Sequence, residues 1–169
     1  MISSVVDTPA GRLLLRANPD GLLSSTFLDL PDVAVPIQAV EHLTGSRSAG
    51  AHLRAAERHV ERYFAGIADD SKVPLAVSGT VFQLLVWRQL QLIPRGAVRS
   101  YNEIAAAAGK LGAARAVGTA CGKNPLCLFV PCHRVVAHDQ KLGRKKLGGF
   151  SAGLWRKELF LRIEGVELN

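Results

Sequence analysis

The stretch SYNEIAAAAGKLGAARAVGTACG, residues 100–122, contains two helix-forming segments separated by a short turn. Ser100 can cap the first helix, and Glu103 three positions later completes a capping box. The alanines that follow continue this helix to Gly109, and a glycine-flanked turn comes next. A second helix is predicted from about Ala113 to Gly122. The stretch therefore predicts a helix-turn-helix.

The second helix is rich in small residues that surround a single long cation, Arg115. Small side chains indicate close helix packing inside a protein. They also suit a smooth helix face whose backbone approaches a nucleic-acid groove while one arginine probes the base stack. The residues alone leave both explanations open. The small residues are Ala113, Ala114, Ala116, Gly118, Thr119, Ala120 and Gly122.

Downstream of the helices, Pro131-Cys132-His133-Arg134 places a thiol directly beside an imidazole, within an apolar stretch that spans 126–136. A neighbouring histidine can hold the thiol proton and favour the thiolate, which is the nucleophilic form of cysteine. The proline fixes the backbone just before the thiol. The pattern predicts a reactive Cys132, and an inert core cysteine is the alternative.

The composition changes near residues 69–74, which predicts an N-terminal α/β domain over 1–74 and a C-terminal DNA-binding and active-site domain over 75–169. We expect the first domain to contain an antiparallel sheet covered by an amphipathic helix. Thr80 can cap a further helix that ends near Ile93. The predicted fold class is thus α/β (α+β), a small sheet with a helix followed by a mainly helical domain. The predicted strands are 2–6, 12–16 and 21–28, and the predicted helix is 52–64.

The chain has 169 residues, of which 48% are hydrophobic, and a formal net charge of +7. It lacks an apolar run that could span a bilayer and an N-terminal secretory pattern. Three cysteines suit a disulfide framework poorly and indicate a reducing compartment. We expect a soluble cytoplasmic protein without a membrane partner or a metal site. Between Arg95 and Lys157 only Glu103 and Asp139 are acidic, which favours a polyanionic partner.

Several motifs in the second half of the chain occur together and in a defined order. They resemble the O6-alkylguanine-DNA alkyltransferases, also called methylated-DNA-protein-cysteine methyltransferases. The resemblance covers about half of the chain, and its core motifs are highly specific. The motifs are FQLLVW (82–87), IPRG (93–96), SYNEIA (100–105), RAVGTACGKNP (115–125), VPCHRVV (130–136) and GLWRKELFLRIEG (153–165).

The resemblance implies a DNA-repair transferase that acts once. Double-stranded DNA with O6-alkylguanine would be its partner, with O4-alkylthymine as a lesser substrate, and the alkyl group, most often methyl, would move irreversibly to Cys132. The base would be flipped out of the duplex, because a buried thiol cannot reach a stacked base. The resemblance implies no cofactor, and we expect a monomer.

The resemblance also implies roles for individual residues. His133 is the expected base for the thiol, Glu164 would orient His133, Tyr101 would assist the departing guanine, and Asn124 would hold the turn before the active-site segment. Arg115 is expected to take the place of the flipped nucleotide. The expected DNA-binding residues beside it are Ser100, Ala113, Ala114, Ala116 and Gly118, and the expected pocket residues are Val135, Phe150 and Ser151.

Two features depart from the family pattern. The segment from Ala137 to Gly149 is longer and more basic than the usual hairpin, and Cys127 stands where proline is familiar. Three other functions remain open at this point. The chain could recognise alkylated DNA without transfer, act as a Cys-His hydrolase, or be a redox-responsive DNA-binding regulator.

Overall fold

The structure is a computed structural model that describes residues 1–28, 47–67, 72–139 and 144–167. The chain folds as two compact units, Met1–Val77 and Ser78–Asn169. The boundary predicted from composition, between residues 74 and 75, lies slightly earlier. Within the described ranges, no helix is both long enough and apolar enough to cross a membrane.

The N-terminal unit is an antiparallel sheet covered by one helix. Strands β1 (Ile2–Thr8), β2 (Gly11–Asn18) and β3 (Gly21–Leu28) pair in the order β1-β2-β3. Helix α1 (Arg47–Phe64) packs on the sheet. This unit has the sheet and helix that the sequence predicts. Helix α1 begins before residue 52 because the buried stripe starts earlier, and its buried residues are Ala49, Leu53, Ala56, Val60 and Tyr63.

Gly21 is required where the chain returns to the start of β3. The Leu22 N–H donates to the Pro74 carbonyl at 2.8 Å, and Gly21 has a φ of 151°. A Cβ atom at Gly21 would lie 2.5 Å from that carbonyl oxygen. Because a side chain there would displace the Pro74 backbone, glycine permits this close approach.

The C-terminal unit begins with three helices, and the capping signals predicted for the first two are present. Helix α2 (Val81–Gln91) starts with a capping box between Thr80 and Gln83, and α3 (Tyr101–Ala107) starts with one between Ser100 and Glu103. Helix α4 (Ala114–Gly122) follows the turn after α3. The helix pair predicted from residues 100–122 is therefore confirmed.

A second small sheet, which the sequence pattern does not predict, positions the site. Strand β4 (Arg99–Ser100) pairs in parallel with β5 (Val135–Asp139), which pairs antiparallel with β6 (Arg144–Lys146). Strand β4 leads directly into α3, and β5 directly follows a 3-10 turn at Cys132–Arg134. The pairing therefore brings the start of α3 beside the reactive segment. Helix α5 (Leu154–Ile163) completes the unit.

Candidate active site

The segment from Asn124 to Cys132 is a closed loop held by the Asn124 side chain. Oδ1 of Asn124 accepts a hydrogen bond from the Leu126 N–H at 3.0 Å, and Nδ2 donates to the Val130 carbonyl at 2.8 Å. Nδ2 also donates to Sγ of Cys132 at 3.1 Å. Leu128 has a φ of 73°, which non-glycine residues rarely adopt. Asn124 thus ties the shape of this loop to the position of the thiol.

Cys132 is almost completely buried, with 3% of its surface exposed. A hydrogen bond from the Cys127 thiol lowers the pKa of Cys132 most, against the opposing effect of burial. The Asn124 amide and the positive charge of Lys157 lower this pKa further. Burial raises the pKa of the nearby Cys121 to about 12. Cys132 is therefore the thiol that the site prepares for nucleophilic attack.

Glu164 connects the two residues that follow Cys132. Its Oε1 lies 2.8 Å from Nε2 of His133, and its two carboxylate oxygens accept hydrogen bonds from Nε and Nη2 of Arg134, both at 2.9 Å. Arg134 also donates from Nη1 to the Ile93 carbonyl at 2.6 Å. Burial alone would raise the pKa of Glu164, but the hydrogen bonds from His133 and Arg134 bring it to about 2. Glu164 is therefore a carboxylate at neutral pH.

The carboxylate determines which nitrogen of His133 carries the proton. Burial lowers the pKa of His133, so its ring is neutral at pH 7. Because a carboxylate only accepts hydrogen bonds, Nε2 must be the N–H that faces Glu164. The basic nitrogen of the neutral ring is then Nδ1. This arrangement prepares His133 to accept a proton.

Cys132 lies in the wall of a cavity of about 700 Å³. A volume of this size is in the range of small-molecule binding pockets and can hold a single flipped base. Seven of the residues that the sequence analysis singled out line it, namely Tyr101, Ala114, Arg115, Gly118, Cys132, Phe150 and Ser151. Five others were missed as pocket residues, namely Cys121, Gly122, Ala137, Gly148 and Gly149.

Backbone and aromatic groups shape this cavity. The Tyr101 hydroxyl donates to the Gly149 carbonyl at 3.4 Å, and burial raises the pKa of Tyr101 to about 12. Gly148 has a φ of 67°, and a Cβ atom there would lie 3.1 Å from the Tyr101 hydroxyl. Phe150 packs edge-to-face on Phe160, with ring centroids 6.0 Å apart. Glycine at 148 thus lets the loop backbone approach the tyrosine.

Helix α4 has an exposed outer face and a buried inner face. Arg115, Ala116 and Thr119 are exposed, whereas Val117, Ala120 and Cys121 are buried. Nε1 of Trp87 donates to the Ala120 carbonyl at 2.9 Å. Internal packing therefore accounts for the small residue at 120 but not for Ala116 and Thr119. A smooth outer face beside Arg115 accounts for those two.

Seven of the predicted site residues are not part of the cavity wall. Three of them, Asn124, His133 and Glu164, are described above, and the other four are Ser100, Ala113, Ala116 and Val135. Ala113 is the N-cap of α4, and Val135 is fully buried in β5. Ser100 is 8% exposed, and its hydroxyl accepts the Glu103 N–H at 3.2 Å as the cap of α3. Its role in DNA binding stays a prediction. The residues 140–143 of the long basic segment lie outside the described residues.

Lys157 is a buried cation that the sequence indicates only as part of the basic excess. Its Nζ donates to the carbonyls of Val135 at 2.6 Å and Gly149 at 3.2 Å, and also to the carbonyl of Leu147. Burial lowers the pKa of Lys157 to about 8. Lys157 therefore joins β5 to the loop that lines the cavity and places positive charge near the thiol.

Comparisons with known proteins identify the family of the chain. A family model described as "6-O-methylguanine DNA methyltransferase, DNA binding domain" matches residues 81–166. A methylated-DNA–protein-cysteine methyltransferase from Methanosarcina barkeri is 37% identical over 170 residues, which cover 100% of both chains. The chain belongs to this methyltransferase family.

Other members resemble this methyltransferase over nearly their whole length. The methylated-DNA–protein-cysteine methyltransferase of Mycolicibacterium paratuberculosis is 39% identical over 160 residues, which cover 94% of this chain and 89% of the relative. The crystal structure of Mycobacterium tuberculosis OGT in complex with DNA has a TM-score of 0.77 and 36% identity, and the match covers 97% of this chain and 92% of that one. These matches confirm the predicted family and fold class.

Proposed function

We propose that this methyltransferase repairs double-stranded DNA by moving the alkyl group of O6-alkylguanine irreversibly to Sγ of Cys132. One observation carries the proposal. A cysteine with a lowered pKa lies in the wall of a base-sized cavity, and the exposed Arg115 on α4 lines the same cavity. The family membership and the DNA complex of the Mycobacterium tuberculosis relative support duplex DNA as the partner. A monomeric state and a cytoplasmic location remain predictions.

Base flipping is needed because Cys132 is buried in the protein. A stacked guanine could not bring its O6 substituent to a thiol with 3% exposure. Extrusion costs a few kcal/mol, and less where alkylation weakens the base pair. Arg115 would offset this cost by filling the space left in the stack. Ala113, Ala114, Ala116 and Gly118, with Ser100 at the start of α3, would let the backbone approach the groove.

The transfer itself is a displacement at the alkyl carbon. The bond between Sγ and carbon forms while the bond between carbon and O6 breaks, and the electron pair of that bond leaves with guanine. Nδ1 of His133 would take the thiol proton directly or through a water, with Glu164 fixing the tautomer. The Tyr101 hydroxyl keeps its proton at neutral pH because its pKa is about 12. It can therefore donate to the departing base.

The remaining site residues would select and hold the base. Phe150 and Ser151 both line the cavity. Phe150 would offer an aromatic wall, and Ser151 with the neighbouring backbone would contact O6. Val135 would border the base through the backbone of β5 rather than through its side chain, because the side chain is fully buried. The alternative, recognition of alkylated DNA without transfer, is not favoured because a cysteine with a lowered pKa stands in the cavity.

Intact mass measurement tests the proposal. The protein is mixed with a duplex that contains one O6-methylguanine, and we expect the mass to increase by one CH2 group per protein molecule and then to stop. Fragment ions must separate Cys127 from Cys132, because both lie between Lys123 and Arg134. Methylation confined to Cys132 supports the proposal. An unmodified protein bound tightly to the lesion would instead establish recognition without transfer.

Replacing Arg115 with alanine should slow transfer and leave the thiol intact. Without the arginine the flipped state loses stabilisation of a few kcal/mol, so we expect transfer from duplex DNA to slow by about 10- to 100-fold. Transfer from the free base, O6-methylguanine, should change little. Arg54→Ala removes the same charge from the exposed face of α1 and serves as the control. Equal slowing with the free base would contradict the flipping role.

A further inference from the structure

Two residues of the cavity wall, Phe150 and Ser151, belong to a tight turn just before helix α5. The Gly153 N–H donates to the Phe150 carbonyl at 3.1 Å and closes this turn. Both Phe150 and Ser151 line the cavity. The shape of the turn therefore decides where these two side chains stand against a molecule that enters the cavity.

Arg156, in the first turn of α5, fixes the end of this wall turn. Its Nη1 donates to the Ala152 carbonyl at 2.7 Å, and its guanidinium lies over the Trp155 ring, 4.5 Å from the ring centroid. Arg156 is 4% exposed, and arginine is seldom buried so deeply unless its charge has polar partners. The contacts with Ala152 and Trp155 hold the guanidinium against the residue that directly follows Ser151.

We propose that Arg156 is a positioning residue that holds Phe150 and Ser151 in place for the flipped base. The inference rests on the proposed function, because a base enters the cavity only if the protein acts on DNA bases. Arg156 is not one of the residues that line the cavity. It therefore acts through the turn and not by contact with the base.

The adjacent residue, Lys157, holds the other end of the same loop. Its Nζ donates to the carbonyls of Leu147 and Gly149, and also to the Val135 carbonyl in β5. Two consecutive residues of α5 thus fix the loop before and after its wall residues. Loss of the Arg156 contacts would release only the later end, so we expect the fold and the reactive thiol to be retained.

The expected effect is on the rate of transfer after DNA has bound. Misplacement of a reacting group by about 1 Å can cost about a hundredfold in rate. Lys157 and the edge-to-face packing of Phe150 on Phe160 would still restrain the loop without Arg156. We therefore expect a smaller loss, of about tenfold. Affinity for unmodified duplex should not change, because a side chain buried as deeply as Arg156 cannot reach a phosphate.

Two substitutions separate the hydrogen bond of Arg156 from its bulk. Arg156→Met keeps a long side chain without a donor, and Arg156→Lys keeps a charged donor but loses the planar group that stacks on Trp155. Methyl transfer from a saturating duplex with one O6-methylguanine is followed by intact mass in a single turnover. We expect Arg156→Met to be about tenfold slower than wild type and Arg156→Lys to be within about threefold of it. Arg162→Met, at an exposed position of the same helix, is the matched control and should react like wild type.

A second measurement separates the cavity wall from the thiol and the overall fold. Alkylation of Cys132 by iodoacetamide at pH 7, followed by mass spectrometry, needs neither DNA nor a base held in the cavity. If Arg156 acts through the wall, this rate should stay within about twofold of wild type in every variant, while transfer by Arg156→Met falls. A fall in iodoacetamide labelling as large as the fall in transfer would overturn the proposal.

The remaining outcomes also decide the proposal. An unchanged transfer rate in Arg156→Met would overturn it, and so would an Arg156→Lys variant as slow as Arg156→Met, because the donor would then not matter. Absence of transfer in the wild type would refute the proposed function itself, and this inference with it. Arg156→Gln, whose shorter side chain reaches less far towards the Ala152 carbonyl, replaces Arg156→Met if that variant fails to fold, with the same expected slowing.

Discussion

Replacing Cys132 with alanine should abolish alkyl transfer and leave the affinity for duplex DNA within about twofold of wild type. The rate of transfer should fall by more than about a thousandfold, because Sγ of Cys132 is the atom that would form the new bond to the alkyl carbon. Cys121 lines the same cavity, but burial raises its pKa to about 12 and keeps it a neutral thiol. Transfer is measured by mass, and DNA affinity by fluorescence anisotropy with an intact duplex.

A second variant controls for the volume lost at this buried position. Cys132→Ser keeps nearly the same shape, and its hydroxyl ionises far less readily than a thiol, so it should be equally inactive and fold as well as the wild type. The expected pattern is opposite to that of Arg115→Ala, which slows flipping and keeps the thiol reactive. Loss of DNA affinity in both Cys132 variants would place the thiol in the DNA interface and contradict this division of roles.

The local features of the fold could be predicted because they depend on residues close in sequence. The capping boxes at Thr80 and Ser100 fix where two helices start, and both signals consist of residues three positions apart. The β2–β3 hairpin and the helix pair follow from local patterns in the same way. Apolar alternation and turn residues were sufficient for the three strands of the N-terminal sheet.

The second sheet could not be predicted for a physical reason. Strand β4 has only two residues, and its partner β5 lies 36 positions away, from Arg99 to Val135. No periodicity can be read from two residues, and the pairing depends on tertiary packing. The same holds for the glycines at 148 and 149, whose place in the cavity wall depends on how the loop folds back.

The sequence of helix α5 contains a pattern that marks Lys157 as a candidate for a structural or functional role. The positions 157, 160, 161 and 164 have the spacing of one buried helix face, and two of them are charged, Lys157 and Glu164. A charged residue on an apolar stripe needs buried partners, which makes it a candidate for a structural or functional role. The family resemblance indicates Glu164, whereas composition indicates Lys157 only as part of the basic excess. Its partners are backbone carbonyls, which carry no signature in the sequence.

Replacing Glu164 with glutamine should both destabilise the fold and slow the chemistry. The Glu164 side chain is fully buried, and the substitution removes the negative charge between His133 and Arg134. Removing one partner of a buried ion pair typically costs 3–5 kcal/mol, and the amide keeps some hydrogen bonds, so we expect unfolding free energy at pH 7 to fall by about 3 kcal/mol. Transfer should slow about a hundredfold, because a neutral amide no longer stabilises the positive charge that the His133 ring gains when it takes the thiol proton.

The difference in unfolding free energy between the wild type and Glu164→Gln should depend on pH. The pKa of Glu164 is about 2 in the folded protein and 4.5 by its ordinary value, so the unfolded state binds more protons between these limits. The stability that the carboxylate contributes is therefore complete above pH 4.5 and is lost as the pH falls towards 2. Urea unfolding across pH should show the wild-type and Glu164→Gln curves converging over that interval. Burial lowers the pKa of His133 in the folded state. The unfolding free energy of both proteins should therefore also fall as the pH drops below the ordinary pKa of histidine.

Glu158→Gln is the matched control, because Glu158 is exposed on the same helix. The same substitution there should change the unfolding free energy by less than about 0.5 kcal/mol, as at other surface sites. If Glu164→Gln were as stable as Glu158→Gln at pH 7, the cost of burying the carboxylate would cancel its ion pairs, and the triad of Glu164, His133 and Arg134 would serve chemistry alone. If the two variants transferred equally fast, the orienting role of Glu164 would be wrong. Because the two readouts respond to different consequences of one lost charge, together they separate the structural contribution of Glu164 from its contribution to proton transfer.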